Sequence, residues 1–275
     1  MINEYLLYLA YTKGYSNNTV RAYGQALRQF AHYRKEHDDD ARWGNTTASH
    51  VQSYVAYLIA DGKVATSIKL QLSAIKGFFR FIVHNGGTID KNIYYCEAPK
   101  AAKKEAPTIA PSDIESAIND ESIDKDIRCI IALIADTGLR ISECLNLHPC
   151  DFDKGKMAIK VVGKGNKIRY AYYSPRVQTM LNTYKRETYR ANFLFLGEER
   201  DIRYEIHLAL KKHSSAPYLS PHIIRHTFAT EMLRKGLNLA ALQKQLGHED
   251  IKSTECYLNN SRIHTYNDYY NTLVK

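Results

Sequence analysis

The chain has 275 residues, 44% of them hydrophobic and 24% charged, with a net charge of +9 and a pI near 9.1. That length favours two domains, each able to bury its own core, and the basic balance favours an acidic polymer as partner. Five scattered cysteines form no CxxC pair, which argues against a disulfide framework or a zinc module, and no apolar run or basic leader predicts export or a membrane span, so a cytoplasmic protein is expected.

In chain order, Ser16 to Tyr33 carries Val20, Tyr23, Leu27, Phe30 and Ala31 at helical spacing, with Asn17, Asn18 and Thr19 as cap candidates. A second amphipathic helix is predicted from Val51 to Ala60. A third, Thr66 to Val83, places Ile68, Leu72, Ile75, Phe78, Phe79 and Ile82 on one stripe and Lys69, Lys76 and Arg80 on another. Such a basic stripe is either a solvated face or a DNA contact. Cys96 to Ser112 holds three prolines, five alanines and a lysine cluster; it reads as a linker, with a surface loop as the alternative. The expected boundaries are a helical domain at 1–97, a linker at 98–111 and a second domain at 112–275.

Past the linker, Ser112 is a cap candidate for a helix to about Asn119, and Asp126 opens an apolar helix ending at Gly138. Met157, Ile159 and Val161 alternate with polar residues, as do Ile168, Tyr170 and Tyr172. Between them Gly163-Lys164-Gly165-Asn166-Lys167 makes a turn, which predicts a hairpin with lysine at its tip. Helical patterns resume from Pro175, so the fold class is mainly α with a small β-sheet.

Ser220-Pro221-His222 reads as a helix start, putting His222 and Arg225 on one face of the first turn, where free amides and the helix dipole favour an anion. His222 and His226 also have the spacing of a helical zinc pair, but Ile223 stands where a zinc hydrolase needs glutamate, so no metal is expected. The Gly-Lys-Gly turn lacks the spacing and the ending of a nucleotide loop, and no cofactor is expected.

Metal-free cleavage of a phosphodiester requires cations for the nonbridging oxygens, an acid for the leaving oxygen and a nucleophile in line. Arg140 and Arg225 offer forked donors, Lys164 an acid at a hairpin tip, and His222 and His248 proton relays; Glu143, one turn past Arg140, can orient its guanidinium. Tyr257, nine positions after His248, is the candidate nucleophile among 21 tyrosines.

Five motifs stand in order: Thr137-Gly138-Leu139-Arg140-Ile141-Ser142-Glu143, the Gly163 to Lys167 turn, Ser220-Pro221-His222-Ile223-Ile224-Arg225, Leu246-Gly247-His248, and Tyr257. Together they resemble the tyrosine recombinase (phage integrase) family, in particular its Xer-like members, and the Thr19, Tyr23, Leu27, Phe30 pattern is similar to that family's N-terminal core-binding, SAM-like domain. The resemblance implies a C-terminal catalytic domain in which Arg140, Lys164, His222, Arg225, His248 and Tyr257 are catalytic and Glu143 is supporting. It implies a 3′-phosphotyrosyl bond, a released 5′-hydroxyl and a Holliday junction, without metal or ATP. Partners would be double-stranded DNA recombination sites and a homo-tetramer on DNA; a monomer in solution and an accessory or partner recombinase stay open. The alternatives are a type IB topoisomerase and a catalytically silent DNA-binding regulator. Cys144, Cys256 and Leu258 depart from the usual pattern. The tail carries Ile263, Tyr266, Tyr270 and Val274 at roughly helical spacing, as a docking helix would.

Overall fold

The computed structural model describes residues 1–100, 107–163, 167–187 and 194–247. The chain divides into two units, Met1–Lys103 and Lys104–Lys275.

Helices build the first unit: α1 (Ile2–Leu7), which runs on through a π turn to Thr12, α2 (Asn17–His37), α3 (Ala48–Ala60) and α4 (Ala65–His84). Their common core contains Leu27, Phe30, Val51, Ile68, Leu72, Ile75, Phe78, Phe79 and Ile82, so the expected stripe of α4 is the buried one. The start of α2 differs from the reading of Asn17, Asn18 and Thr19 as caps. Ser16 is the cap, its hydroxyl accepting from the Thr19 amide at 3.3 Å, because only an extended residue ahead of the first turn can reach back to that donor. Tyr54 donates to Gln71 Oε1 at 2.6 Å and Gln71 donates to Gln29 Oε1 at 3.1 Å, which satisfies a buried amide between α2, α3 and α4.

The second unit contains α5 (Pro111–Asn119), α6 (Lys125–Thr137), α7 (Ile141–Leu145), β1 (Phe152–Asp153), β2 (Ala158–Val162), β3 (Ile168–Tyr172), α8 (Pro175–Glu187), α9 (Glu199–Lys211), α10 (Pro221–Arg234) and α11 (Leu239–Leu246). Helix α6 is apolar on nearly every side, with Ile127 and Cys129 through Ile134 all buried, and it packs against α5, α8, α9 and α10. A helix without a polar face must be central, and it is. Asp124 rather than Asp126 caps it, accepting from the Asp126 and Ile127 amides. Nor is Ser112 the cap of α5, since Pro111 already occupies the first helical position and Ala110 precedes it. Ile109, inside the stretch expected as linker, is buried in this core. Its amide donates to the Thr227 hydroxyl at 3.1 Å, so packing of the unit begins ahead of α5.

The sheet is antiparallel in the order β1-β2-β3, with Val162 opposite Ile168 and Ile159 opposite Ala171. The two strands pair as expected for a hairpin, and its tip with Lys164 lies outside the described residues. Ile168, Tyr170 and Tyr172 are exposed, while Ala171 is buried and Arg169 half-buried. Side chains alternate along a strand, so with Arg169 and Ala171 turned inward the even-numbered residues between and beside them face solvent. Among the described residues no helix is long and apolar enough to cross a membrane.

Candidate active site

The site is assembled where α6 stops. The helix ends in left-handed Gly138, with φ of 68°, whose amide bonds the Ile134 carbonyl at 2.8 Å. A Cβ there would lie 2.6 Å from side-chain atoms of Leu246 and Phe228, so both backbone and space demand glycine. Thr137 caps the turn from inside, donating to the Leu133 carbonyl at 2.6 Å and accepting from the Leu139 amide at 3.2 Å. The chain then re-enters a helix at α7. Glu143 in its first turn accepts from the Arg140 amide at 2.8 Å and from Arg140 Nη1 at 2.9 Å. That carboxylate is well placed at a helix N-terminus and holds the arginine side chain at the same time.

Two further guanidinium groups meet the same buried carboxylate. Arg169 of β3 donates to both of its oxygens, each at 3.0 Å, in a forked pair, and Arg225 Nη1 stands 3.8 Å from Oε2. Arg225, on α10, is only 3% exposed; it donates to the Gly138 carbonyl at 2.6 Å and the Leu246 carbonyl at 2.8 Å. The carbonyl ends of α6 and α11 thus both point at one cation, as the helix dipole favours. Burial pushes the Glu143 carboxyl up, but the hydrogen bonds and charges of Arg169 and Arg140 outweigh it and hold the group below its ordinary value. Three cations around one anion leave an excess of positive charge, with Arg140 the most exposed of the three. An arriving anion would meet that charge.

Pro221 occupies the first position of α10, and His222 follows on the same turn as Arg225. Desolvation, then the charges of Arg203, Arg225 and Arg140, lower the His222 pKa against an opposing effect of Glu199. His226, ring centroid 6.4 Å away, is lowered by burial, His222 and Arg225. Both environments therefore favour the neutral imidazole, and a neutral ring can donate from one nitrogen and accept at the other.

Of the residues singled out in the sequence, Arg140, Glu143, His222 and Arg225 are brought together from two separate stretches of chain. Lys164, His248 and Tyr257 lie outside the described residues, as do Cys256, Leu258 and the tail from Ile263 to Val274. Cys144 is fully buried in the core beneath the site and takes the slot of an apolar side chain. In the first unit Lys69 and Arg80 are exposed, Lys76 is half-buried, and Arg80 stacks over the Tyr94 ring at 5.4 Å. A shallow basic groove lined by Arg21, Gln25, Arg28, Gln29 and His32 runs along α2 and was not foreseen. Arg169 and Gln245 were also missed. Gln245 of α11 donates to the Thr137 and Tyr172 carbonyls and accepts from the Tyr172 amide, tying α11 to β3 and to the end of α6. The one available signal was an arginine in a strand whose neighbour two places on is a small apolar residue. Among the described residues no group of three or more His, Cys, Asp or Glu side chains could hold a metal ion.

This arrangement agrees with the comparisons to known proteins. The phage integrase family matches residues 110–264, and the phage integrase N-terminal SAM-like domain matches residues 2–86. The chain belongs to the phage integrase family. Tyrosine recombinase XerD of Listeria monocytogenes is 27% identical over 281 residues, covering 96% of this chain and 95% of the relative. Tyrosine recombinase XerC of Pediococcus pentosaceus is 28% identical over 279 residues, covering 94% and 92%. The fold is that of XerH site-specific recombinase bound to its palindromic difH substrate (TM-score 0.75, 18% identity, 91% of this chain and 78% of that one). It is equally that of the Tn1549 transposon integrase in complex with a circular intermediate DNA (TM-score 0.74, 20% identity, 93% and 94%). Recombinases recur among these family members, which favours neither a topoisomerase nor a silent regulator.

Proposed function

We propose that the chain is a tyrosine-type site-specific recombinase that cleaves and rejoins double-stranded DNA through Tyr257. The observation carrying this reading is the convergence of Arg140 and Arg225 on buried Glu143, with His222 beside them. Two fixed guanidinium forks can bind the two nonbridging oxygens of one phosphate and stabilise the charge that develops as the phosphorus gains a fifth ligand. The Tyr257 oxygen would attack phosphorus while the bond to the 5′-oxygen breaks, and Lys164 would give that oxygen its proton. A phenol has an ordinary pKa of about 10, so the cationic setting has to favour the phenolate. His222 and His248 would position the phosphate and relay protons, and Glu143 would keep Arg140 aimed. No metal or nucleotide is required, because the phosphotyrosyl bond retains the energy used for rejoining.

DNA recombination sites are the partners in this reading, with Lys69, Lys76, Arg80 and the α2 groove contacting the duplex. Four copies would act on two sites through a Holliday junction, in a cytoplasmic setting, and an accessory or partner recombinase would fit the same scheme. The test uses a nicked suicide duplex selected from a randomised library by retention on the protein. The unsubstituted chain forms a covalent protein–DNA adduct in denaturing gels, and Tyr257→Phe forms none. An adduct that survives the substitution would sink the assignment.

A further inference from the structure

We propose that Arg169 is a positioning residue of the cleavage reaction, holding Arg140 in its productive orientation and tying the hairpin strand to the turn that leads into His248. This rests on the recombinase reading above. Three observations carry it. First, Arg169 forms a forked pair with both Glu143 oxygens at 3.0 Å, and those same oxygens hold the Arg140 amide and Nη1. A carboxylate gripped from the far side cannot rotate, so Arg169 fixes the direction in which Arg140 is presented. Second, its Nε donates to the Gln245 carbonyl at 3.3 Å, one residue from the end of α11. Third, Gly247, with φ of 65°, lies so close over the guanidinium that a Cβ would come within 2.6 Å of Nε and 2.9 Å of Cζ. The glycine that precedes His248 is thus seated on Arg169.

One side chain therefore touches the support of Arg140, the end of α11 and the β3 strand that follows the Lys164 turn. Lysine at this position would keep the positive charge but lose the fork and the flat surface that Gly247 covers. Charge balance and positioning can be told apart on that ground.

The experiment compares Arg169→Lys and Arg169→Met with the unsubstituted chain in single-turnover adduct formation on the selected suicide duplex at saturating protein. Rate constant and final amplitude are read separately, with duplex retention and thermal unfolding measured alongside. The expected result for Arg169→Lys is a rate constant lowered by about tenfold or more, with amplitude and duplex affinity within about twofold of the original. Arg169→Met falls at least as far. A merely structural role lowers the amplitude, through loss of folded protein, and leaves the rate constant in place; that outcome, or a lysine variant as fast as the original, overturns the proposal. If the unsubstituted chain itself gives no Tyr257-dependent adduct, the recombinase reading fails, whatever Arg169 does.

Discussion

Glu143 gives the arginines of this site a common anchor. A buried carboxylate is costly unless its oxygens are satisfied, and here one amide and two guanidinium groups satisfy them. His222 faces the opposite situation, a base crowded by cations, and its charged form is disfavoured. In the free protein its titration midpoint should therefore fall below about 6.5, the ordinary histidine value, and duplex binding should raise it as phosphate charge enters. Imidazole resonances followed by NMR against pH check this; a midpoint above the ordinary value in the free protein contradicts the geometry. Arg140, His222 and Arg225 were legible as candidates because arginine, histidine and glycine stand at fixed offsets on helix starts and stops. Arg169 was not legible in the same way. Its partner stands 26 positions earlier on a short helix, and the alternation of Ile168, Tyr170 and Tyr172 with their neighbours marks a strand without saying what Arg169 meets. Nothing local says that an arginine is wanted indoors when its carboxylate is supplied from elsewhere in the fold.

Among the elements, α6 and α10 do most to place the site, and their packing is secured where the chain enters the second unit. Thr227 on α10 accepts from the Ile109 amide and donates back to the Ile109 carbonyl, so an extended segment ahead of α5 is pinned to the helix bearing Arg225 and His222. Replacing Thr227 with valine keeps the volume but orphans two buried backbone groups. That should cost about 1–3 kcal/mol, read as a lowered urea midpoint with an unchanged slope. Most helix interiors were legible from their 3.6-residue stripes, α4 above all. Their ends were less so, because a cap depends on the backbone angles of the residue before the first turn, which composition does not reveal. Asn17, Asn18 and Thr19 are all good capping types, yet Ser16 has the extended conformation that allows it. The basic groove on α2 was overlooked because attention went to the apolar stripe, although Arg21, Gln25, Arg28, Gln29 and His32 recur at helical spacing on that one helix.

At the scale of the whole molecule, the two units have separate cores, one built on the aromatic side chains of α2 to α4 and one on the aliphatic side chains around α6. Trp43, the chain's single tryptophan, packs edge-on against Phe78 at 4.9 Å and tilted against Phe30 at 6.2 Å, so its fluorescence reports the first core. Phe78→Ala should destabilise that unit by about 3–5 kcal/mol and shift the tryptophan unfolding transition. Ile130→Ala, in the second core, should leave that transition in place while moving the remainder of the far-ultraviolet circular dichroism change. A tryptophan transition that follows Ile130→Ala would mean that the cores unfold as one.

Both α6 and α11 end in a left-handed glycine, and the carbonyls at those two ends are bonded to Arg225. Because these bonds form as the helices pack, Arg225 has already lost its rotameric freedom and its water before a duplex arrives. Ordering this arginine is thus a cost of folding and not of DNA recognition. Loosening either helix end would return that cost to the encounter with DNA, so the fault would surface as slower chemistry in a protein that still looks intact.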